Sequence, residues 1–126
     1  MADAAFPIER LKKRADFLLC AQAPSCSRGA IVVQARPRDE TPLVRAGFTA
    51  TKRVGGAVVR NRAKRRMREA ARALLPSFGQ PGTDYVFIAR GGTATRPWAR
   101  LLDDVKSALI SLAPPSRTAG PAVPPS

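Results

Sequence analysis

The chain has 126 residues, of which 22 are lysine or arginine and 9 are aspartate or glutamate, so its formal net charge is +13. Hydrophobic residues make up 44% of it, which is enough for one domain with a modest core and excludes a disordered basic tail. So large a positive excess indicates a polyanionic partner, either a nucleic acid or an anionic membrane.

The first half of the chain predicts a helix, two strands and a second helix. The first helix covers residues 10–23 and ends before Pro24. A β-branched run predicts a strand at 30–36, and alternation of apolar residues predicts another at 43–52. Gly55 and Gly56 then precede a helix at about 57–75. Its apolar stripe consists of Val59, Ala63, Met67, Ala70 and Leu74.

The second half predicts a strand at 85–90 and a closing helix at 97–112. The stripe of this helix is expected to cover the sheet and consists of Trp98, Leu101, Leu102, Val105, Leu109 and Leu112. Residues 113–126 are proline-rich and predicted to be a disordered tail, so residues 1–112 form a single domain. The order α-β-β-(β)-α-β-α, with one strand in doubt, predicts an α/β (α+β) two-layer sandwich in which helices cover a small mixed sheet.

Several absences narrow the function. Histidine is missing, which removes the usual general base, and Cys20 and Cys26 form no CxxC motif. The adjacent acids at 103–104 are read as charge on a solvated helix face rather than as a catalytic pair. No run approaches the roughly 18 apolar residues that span a bilayer. The amino terminus does not resemble a secretory signal, so a cytoplasmic location is expected.

The second helix contains the segment RNRAKRRMR at 60–68, in which six of nine residues are cationic. A salt-bridged surface helix would need acids three or four residues away, but Glu69 is the only acid between Lys52 and Arg72. A membrane-surface helix would need a broad face of large apolar residues. Arginine-rich helices suit phosphates because a planar guanidinium offers paired donors and stays charged. The segment therefore favours nucleic acid.

The segment KRVGGAVVRNRAKRRMREA at 52–70, between GFTAT and DYVFIAR, resembles the protein subunit of bacterial ribonuclease P. The resemblance covers about residues 9–112, with Gly56 where the family often has asparagine. In that family an RNA is the catalyst and removes the 5′ leader of precursor tRNA with Mg²⁺ that the RNA holds. The resemblance therefore implies no catalytic residue and no metal held firmly by the protein. It also implies a left-handed βαβ crossover, whereas general handedness rules favour the right-handed form.

The resemblance implies two RNA-binding regions. The residues expected to contact the catalytic RNA are Lys52, Arg53, Arg60, Asn61, Arg62, Lys64, Arg65 and Arg68. A cleft between the first helix and the sheet is expected to hold the single-stranded leader, and its assigned residues are Lys13, Arg14, Phe17, Val33 and Phe48. Phe17 matches the first cleft aromatic of the family, but Ala21 replaces the second. A plain core role for Phe17 stays open.

The implied partners are ribonuclease P RNA and the precursor tRNA leader, with no membrane and no stable homo-oligomer required. A ribosomal or other structural-RNA-binding protein is the alternative, because it would share the charge and the core. A DNA-binding module is disfavoured, since no second periodic helix precedes the basic helix closely enough for a helix-turn-helix.

Overall fold

A computed structural model describes residues 8–38 and 43–113 and shows three helices and a five-stranded sheet. In chain order the elements are β1 (Ile8–Arg10), α1 (Arg14–Cys20), β2 (Ser25–Arg28), β3 (Ile31–Pro37), β4 (Val44–Thr49), α2 (Ala57–Phe78), β5 (Thr83–Ala89) and α3 (Trp98–Leu112). A 3-10 turn at Lys52–Val54 precedes α2. All but the first residue of the predicted tail at 113–126 lies outside the described residues.

The sheet is mixed, with the strand order β1-β4-β5-β3-β2. The parallel neighbours β4 and β5 are joined by α2 in a strand-helix-strand unit, and β1 runs parallel to β4. Strand β3 is antiparallel to β5, and β2 pairs with β3 as a hairpin. The predicted mixed sheet of an α+β sandwich is confirmed. The short strands β1 and β2 were not predicted individually, because three or four residues are too few to show a periodic pattern.

Alternation along the strands gives the sheet two different faces. One face packs against α2 and α3 and forms the main core, whose strand residues include Ile31, Val33, Val44, Tyr85 and Phe87. The other face carries α1, where Leu11, Cys20 and Val86 form a smaller cluster. Burying each large apolar side chain stabilises the fold by about 1.5–3 kcal/mol. The two faces therefore provide one strong anchor for the basic helix and a weaker one for α1.

Helix α2 begins at a glycine pair. The φ angle of Gly55 is 147°, a conformation that favours glycine, and a Cβ there would lie 3.0 Å from the Val59 side chain. The buried residues of α2 are Ala63, Met67, Ala70, Ala71 and Leu75. Val59, at the start of the predicted stripe, is instead 38% exposed. The small alanines let the helix lie close to the sheet.

Helix α2 ends three residues later than predicted, at Phe78. Pro76 was expected to stop it, but the helix continues for two residues past this proline, although proline has no N–H to donate to the Arg72 carbonyl. The backbone N–H of Gly79 then donates to the Leu75 carbonyl and closes the helix. The whole cationic segment therefore lies on one continuous helix.

Helix α3 contradicts the prediction for one member of its acidic pair, since Asp103 is exposed as predicted and Asp104 is not. Asp104 is only 8% exposed, and it accepts hydrogen bonds from the Arg96 side chain and from the backbone N–H of Ala30. Its carboxylate lies against Gly29, where a Cβ would come within 2.3 Å. The reading of Asp104 as solvated charge is wrong, because its burial depends on a contact with Ala30, which lies 74 residues away in sequence. This acid ties α3 to the start of β3.

Candidate nucleic-acid interfaces

The structure brings together all eight residues predicted to contact the catalytic RNA. This helix surface comprises Lys52, Arg53, Arg60, Asn61, Arg62, Lys64, Arg65 and Arg68, which lie on α2 and on the 3-10 turn before it. Five of them are fully exposed, and Arg60, Lys64 and Arg68 are half-buried. The positive end of the α2 dipole adds to their charge.

The cations of the helix surface have no acidic partner among the described residues. The one acid on α2, Glu69, lies 3.7 Å from Arg72 in an exposed pair. The Nε atoms of Arg60 and Arg68 are buried without a hydrogen-bond acceptor in the described part of the chain. These two buried atoms are out of reach of a phosphate, whereas the guanidiniums of Arg62 and Arg65 on the same surface are exposed and can donate to phosphate oxygens.

Arg66 differs from the other cations of the segment. Its two terminal nitrogens donate to the backbone carbonyls of Thr93 (2.6 Å) and Arg96 (2.5 Å). Its guanidinium also lies 5.8 Å from the centroid of the Trp98 ring. Arg66 therefore fixes the loop between β5 and α3. Its sequence position beside the apolar stripe was the only signal of this role.

A second basic region surrounds α1 and the sheet face beneath it, which we call the α1 surface. Lys13 and Arg14 are exposed at the start of the helix, and Phe17 is half-buried. The Phe17 ring lies so close to β4 that a Cβ on Gly47 would come within 2.5 Å of it. The partly exposed strand residues on this face include Val32, Gln34 and Ile88.

Two of the predicted cleft residues face the opposite side of the sheet. Val33 is fully buried in the core under α2 and α3, opposite Phe87 in the register. Its assignment to the cleft is wrong, because alternation shows which residues share a face but not which face α1 covers. Phe48 faces the same core, with its ring 5.3 Å from that of Phe87. It also lines an open groove together with Phe17.

A buried carboxylate organises the arginines at the end of the α1 surface. Asp84 is fully buried and forms ion pairs with Arg38 (2.5 Å), Arg45 (2.7 Å) and Arg36 (3.4 Å). Arg45 also pairs with Asp16 of α1 at 3.3 Å. The hydrogen bond to Asp84 is the main cause that raises the pKa of Arg45. We call these five residues the Asp84 cluster.

Sequence reasoning missed the Asp84 cluster. A buried carboxylate is costly unless it is paired and hydrogen-bonded, so a lone acid at the start of the apolar strand DYVFIAR was a usable signal. Arg36, Arg45 and Asp84 face the same side of three neighbouring strands. The strand register was needed to bring them together.

Cys20 lies beside this cluster, with its sulfur 4.0 Å from the backbone oxygen of Asp84. Burial is the main cause that raises the pKa of the Cys20 thiol to about 11. Within residues 8–38 and 43–113, no three acidic, cysteine or histidine side chains come together as metal ligands. In the same ranges no helix combines the length and apolar character needed to cross a membrane.

Comparison with known proteins gives one consistent result. The family model described as Ribonuclease P matches residues 7–113. The Ribonuclease P protein component of Caulobacter vibrioides is 71% identical over 106 residues, covering 83% of this chain and 71% of the relative. That of Ruegeria pomeroyi is 54% identical over 111 residues, covering 86% and 89%.

Solved structures of the same kind share the fold. The RNase P protein from Thermotoga maritima superposes with a TM-score of 0.72 at 26% identity, covering 84% of this chain and 99% of that one. The RNase P protein of Staphylococcus aureus gives 0.67 at 28% identity, covering 79% and 91%.

Proposed function

The chain belongs to the ribonuclease P protein family, and on this premise we propose that it is the protein subunit of the ribonucleoprotein that removes the 5′ leader from precursor tRNA. Its helix surface binds the catalytic RNA. One observation carries this role: the cations of the helix surface have no acidic partner among the described residues. A charged surface of this kind is stabilised when phosphates replace the missing acids.

The direct test combines the purified chain with a bacterial ribonuclease P RNA at low Mg²⁺ and measures cleavage of precursor tRNA. We expect the protein to raise the rate, because it neutralises phosphates that the scarce Mg²⁺ leaves uncompensated. A double variant, Arg62→Ala with Arg65→Ala, should lose most of this gain. The matched control is Arg90→Ala, which removes an exposed cation outside the helix surface. A rate unaffected by the wild-type protein would refute the proposal and would favour the structural-RNA alternative.

We propose that the RNA performs the hydrolysis and holds the Mg²⁺. Of the six acids among the described residues, Asp16, Asp84 and Asp104 are each engaged with arginine, and the chain has no histidine. None of these three carboxylates is therefore available to activate water or bind a metal. Cleavage by RNA-free protein in Mg²⁺, abolished by substitution of one of its own acids, would contradict this.

We propose that the α1 surface binds the leader. Phe17 lines an open groove together with the cations Arg10 and Lys12. Lys13 and Arg14 are exposed at the start of α1 and can meet phosphates. Phe17→Ala should weaken binding of a precursor with a leader of several nucleotides by ~1–3 kcal/mol, the range for a stacked base. Binding of a precursor with a one-nucleotide leader should not change.

The Phe17 test needs a control for packing, because the ring also contacts the β4 backbone at Gly47. Phe17→Leu retains apolar volume and removes the π-face. Equal leader binding by Phe17→Leu and wild type would assign Phe17 to the core alone. Both variants must unfold at a urea concentration close to that of the parent before their binding is compared.

We also propose that the chain acts in the cytoplasm, where tRNA precursors are made, and without a stable homo-oligomer. A net charge of +13 makes two copies repel each other. Light scattering at low salt should give the mass of a monomer, and a stable dimer under those conditions would contradict the proposal.

A further inference from the structure

Trp98 is an exposed aromatic side chain at the start of α3. It is the only tryptophan of the chain and is 43% exposed. It was predicted to belong to the buried stripe, of which Leu101, Val105 and Leu109 are fully buried. A tryptophan can bury about 150–250 Å². With 43% of its surface exposed, Trp98 contributes less hydrophobic stabilisation to the fold than a buried tryptophan would.

The Trp98 ring is held in place from one side. The guanidinium of Arg66 lies 5.8 Å from the ring centroid, and two backbone carbonyls fix that guanidinium in turn. The residue two positions before the tryptophan, Arg96, is bound to Asp104 of the same helix. The ring is therefore oriented before any partner arrives, which lowers the entropy lost on binding.

The surroundings of Trp98 are cationic. Arg62 precedes Arg66 by four residues on α2, so the two side chains lie on the same side of that helix. An exposed ring bordered by arginines matches an unpaired nucleotide, whose base stacks while its phosphate is neutralised. Helix α2, which carries Arg62 and Arg66, also carries most residues of the helix surface. A single RNA molecule can therefore contact both Trp98 and the helix surface.

We propose that Trp98 is a stacking platform for an unpaired base of the catalytic RNA, adjoining the helix surface. The inference rests on the proposed function, because it assigns a further contact to the same RNA. Arg66 adds a cation–π interaction to the ring and holds it in position. The platform adds affinity for an unpaired nucleotide, whereas the helix cations contact phosphates of any sequence.

The first experiment measures the dissociation constant for a bacterial ribonuclease P RNA transcript. Trp98→Leu should bind about tenfold more weakly or worse, since base stacking on an aromatic ring commonly contributes this much. Trp98→Phe should bind within about threefold of wild type, because a π-face remains. The matched control is Ile110→Ala, which removes an apolar side chain that is 51% exposed. Ile110 lies twelve residues along α3, about 18 Å from Trp98, and its variant should bind normally.

The second experiment uses Trp98 fluorescence in the unmodified protein. Because Trp98 is the only tryptophan, the emission reports on this ring alone. Adding the RNA should quench the emission and protect the ring from acrylamide, since a stacked base covers the ring. This measurement decides the matter even if Trp98→Leu fails to fold. RNA binding with unchanged emission would overturn the platform and leave the proposed function intact. Equal weakening by well-folded Trp98→Leu and Trp98→Phe would also overturn it. If wild type does not bind the RNA, both proposals fall.

Discussion

Arginines occupy two contrasting environments in this protein. In the Asp84 cluster, three guanidiniums lie within 3.4 Å of a single carboxylate that solvent does not reach. On the helix surface, Arg62 and Arg65 are exposed and pair with no acid among the described residues. The same side chain type thus holds strands together in one region and is left uncompensated in the other.

The difference separates stability from binding. Removing a partner from a buried ion pair leaves an uncompensated charge and is strongly destabilising. Removing an exposed like-charged residue relieves repulsion of a few tenths of a kcal/mol per pair. Substitutions in the Asp84 cluster should therefore lower the free energy of unfolding. Substitutions on the helix surface should instead lower RNA affinity.

The largest effect is expected for Asp84→Asn. The amide keeps the shape of the side chain but leaves three guanidiniums without their shared counter-charge, so unfolding in urea should need ~3–5 kcal/mol less free energy. The control is Glu69→Gln, which removes an exposed acid 3.7 Å from Arg72 and should cost less than about 1 kcal/mol. Equal losses in the two variants would mean that Asp84 is not the organising charge.

Arg65→Ala should show the opposite behaviour. Affinity for the catalytic RNA should fall by ~1–3 kcal/mol, the range for a charge-assisted contact. The slope of log affinity against log salt should flatten by about one unit for the lost phosphate contact. The melting temperature should stay the same or rise slightly. Unchanged affinity and slope would mean that this part of α2 faces away from the RNA.

Arg45→Ala removes the same charge as Arg65→Ala, but from the Asp84 cluster instead of the helix surface. It removes two hydrogen bonds to Asp84 and one to Asp16. We expect the free energy of unfolding to drop by ~1–3 kcal/mol, while the salt slope for the catalytic RNA stays that of wild type. A flattened salt slope would mean that the Asp84 cluster also contacts the RNA, and would contradict the separation between a stabilising cluster and a binding surface.

The last effect is confined to alkaline pH and arises from Cys20. Its pKa in the folded protein is about 11, above the ordinary value of 9.0, so folding favours the protonated thiol. This contribution to stability is complete below about pH 9 and is lost as pH rises towards 11. Over that window the unfolding free energy of wild type should fall more steeply than that of Cys20→Ala. Parallel curves would show that the thiol is not protected.

Much of the fold was predictable from local patterns. The strands at Ile31–Pro37 and Val44–Thr49, and the helices α2 and α3, follow from periodicity and from glycine and proline signals. The composition of the helix surface followed from a motif contained in one continuous segment. The sequence therefore suffices where a feature is local.

The failures concern partners that are distant in sequence. Asp84 meets Arg36 and Arg45 only after the register of three strands is set. Val33 was misplaced because a period of two does not say which face α1 will cover. Trp98 fits the helical period of α3, yet it is 43% exposed.

The sheet order has a consequence for the protein before it meets its RNA. Within the ranges 8–38 and 43–113, the outermost strands are β1 and β2, with three and four residues, and they carry the exposed cations Arg10 and Arg28. Long, flat edge strands are templates for pairing with another chain, whereas short charged edges offer few backbone groups and repel a second copy. The central strands are thus shielded from intermolecular β-pairing. This architecture resists aggregation while the newly made chain awaits its partner.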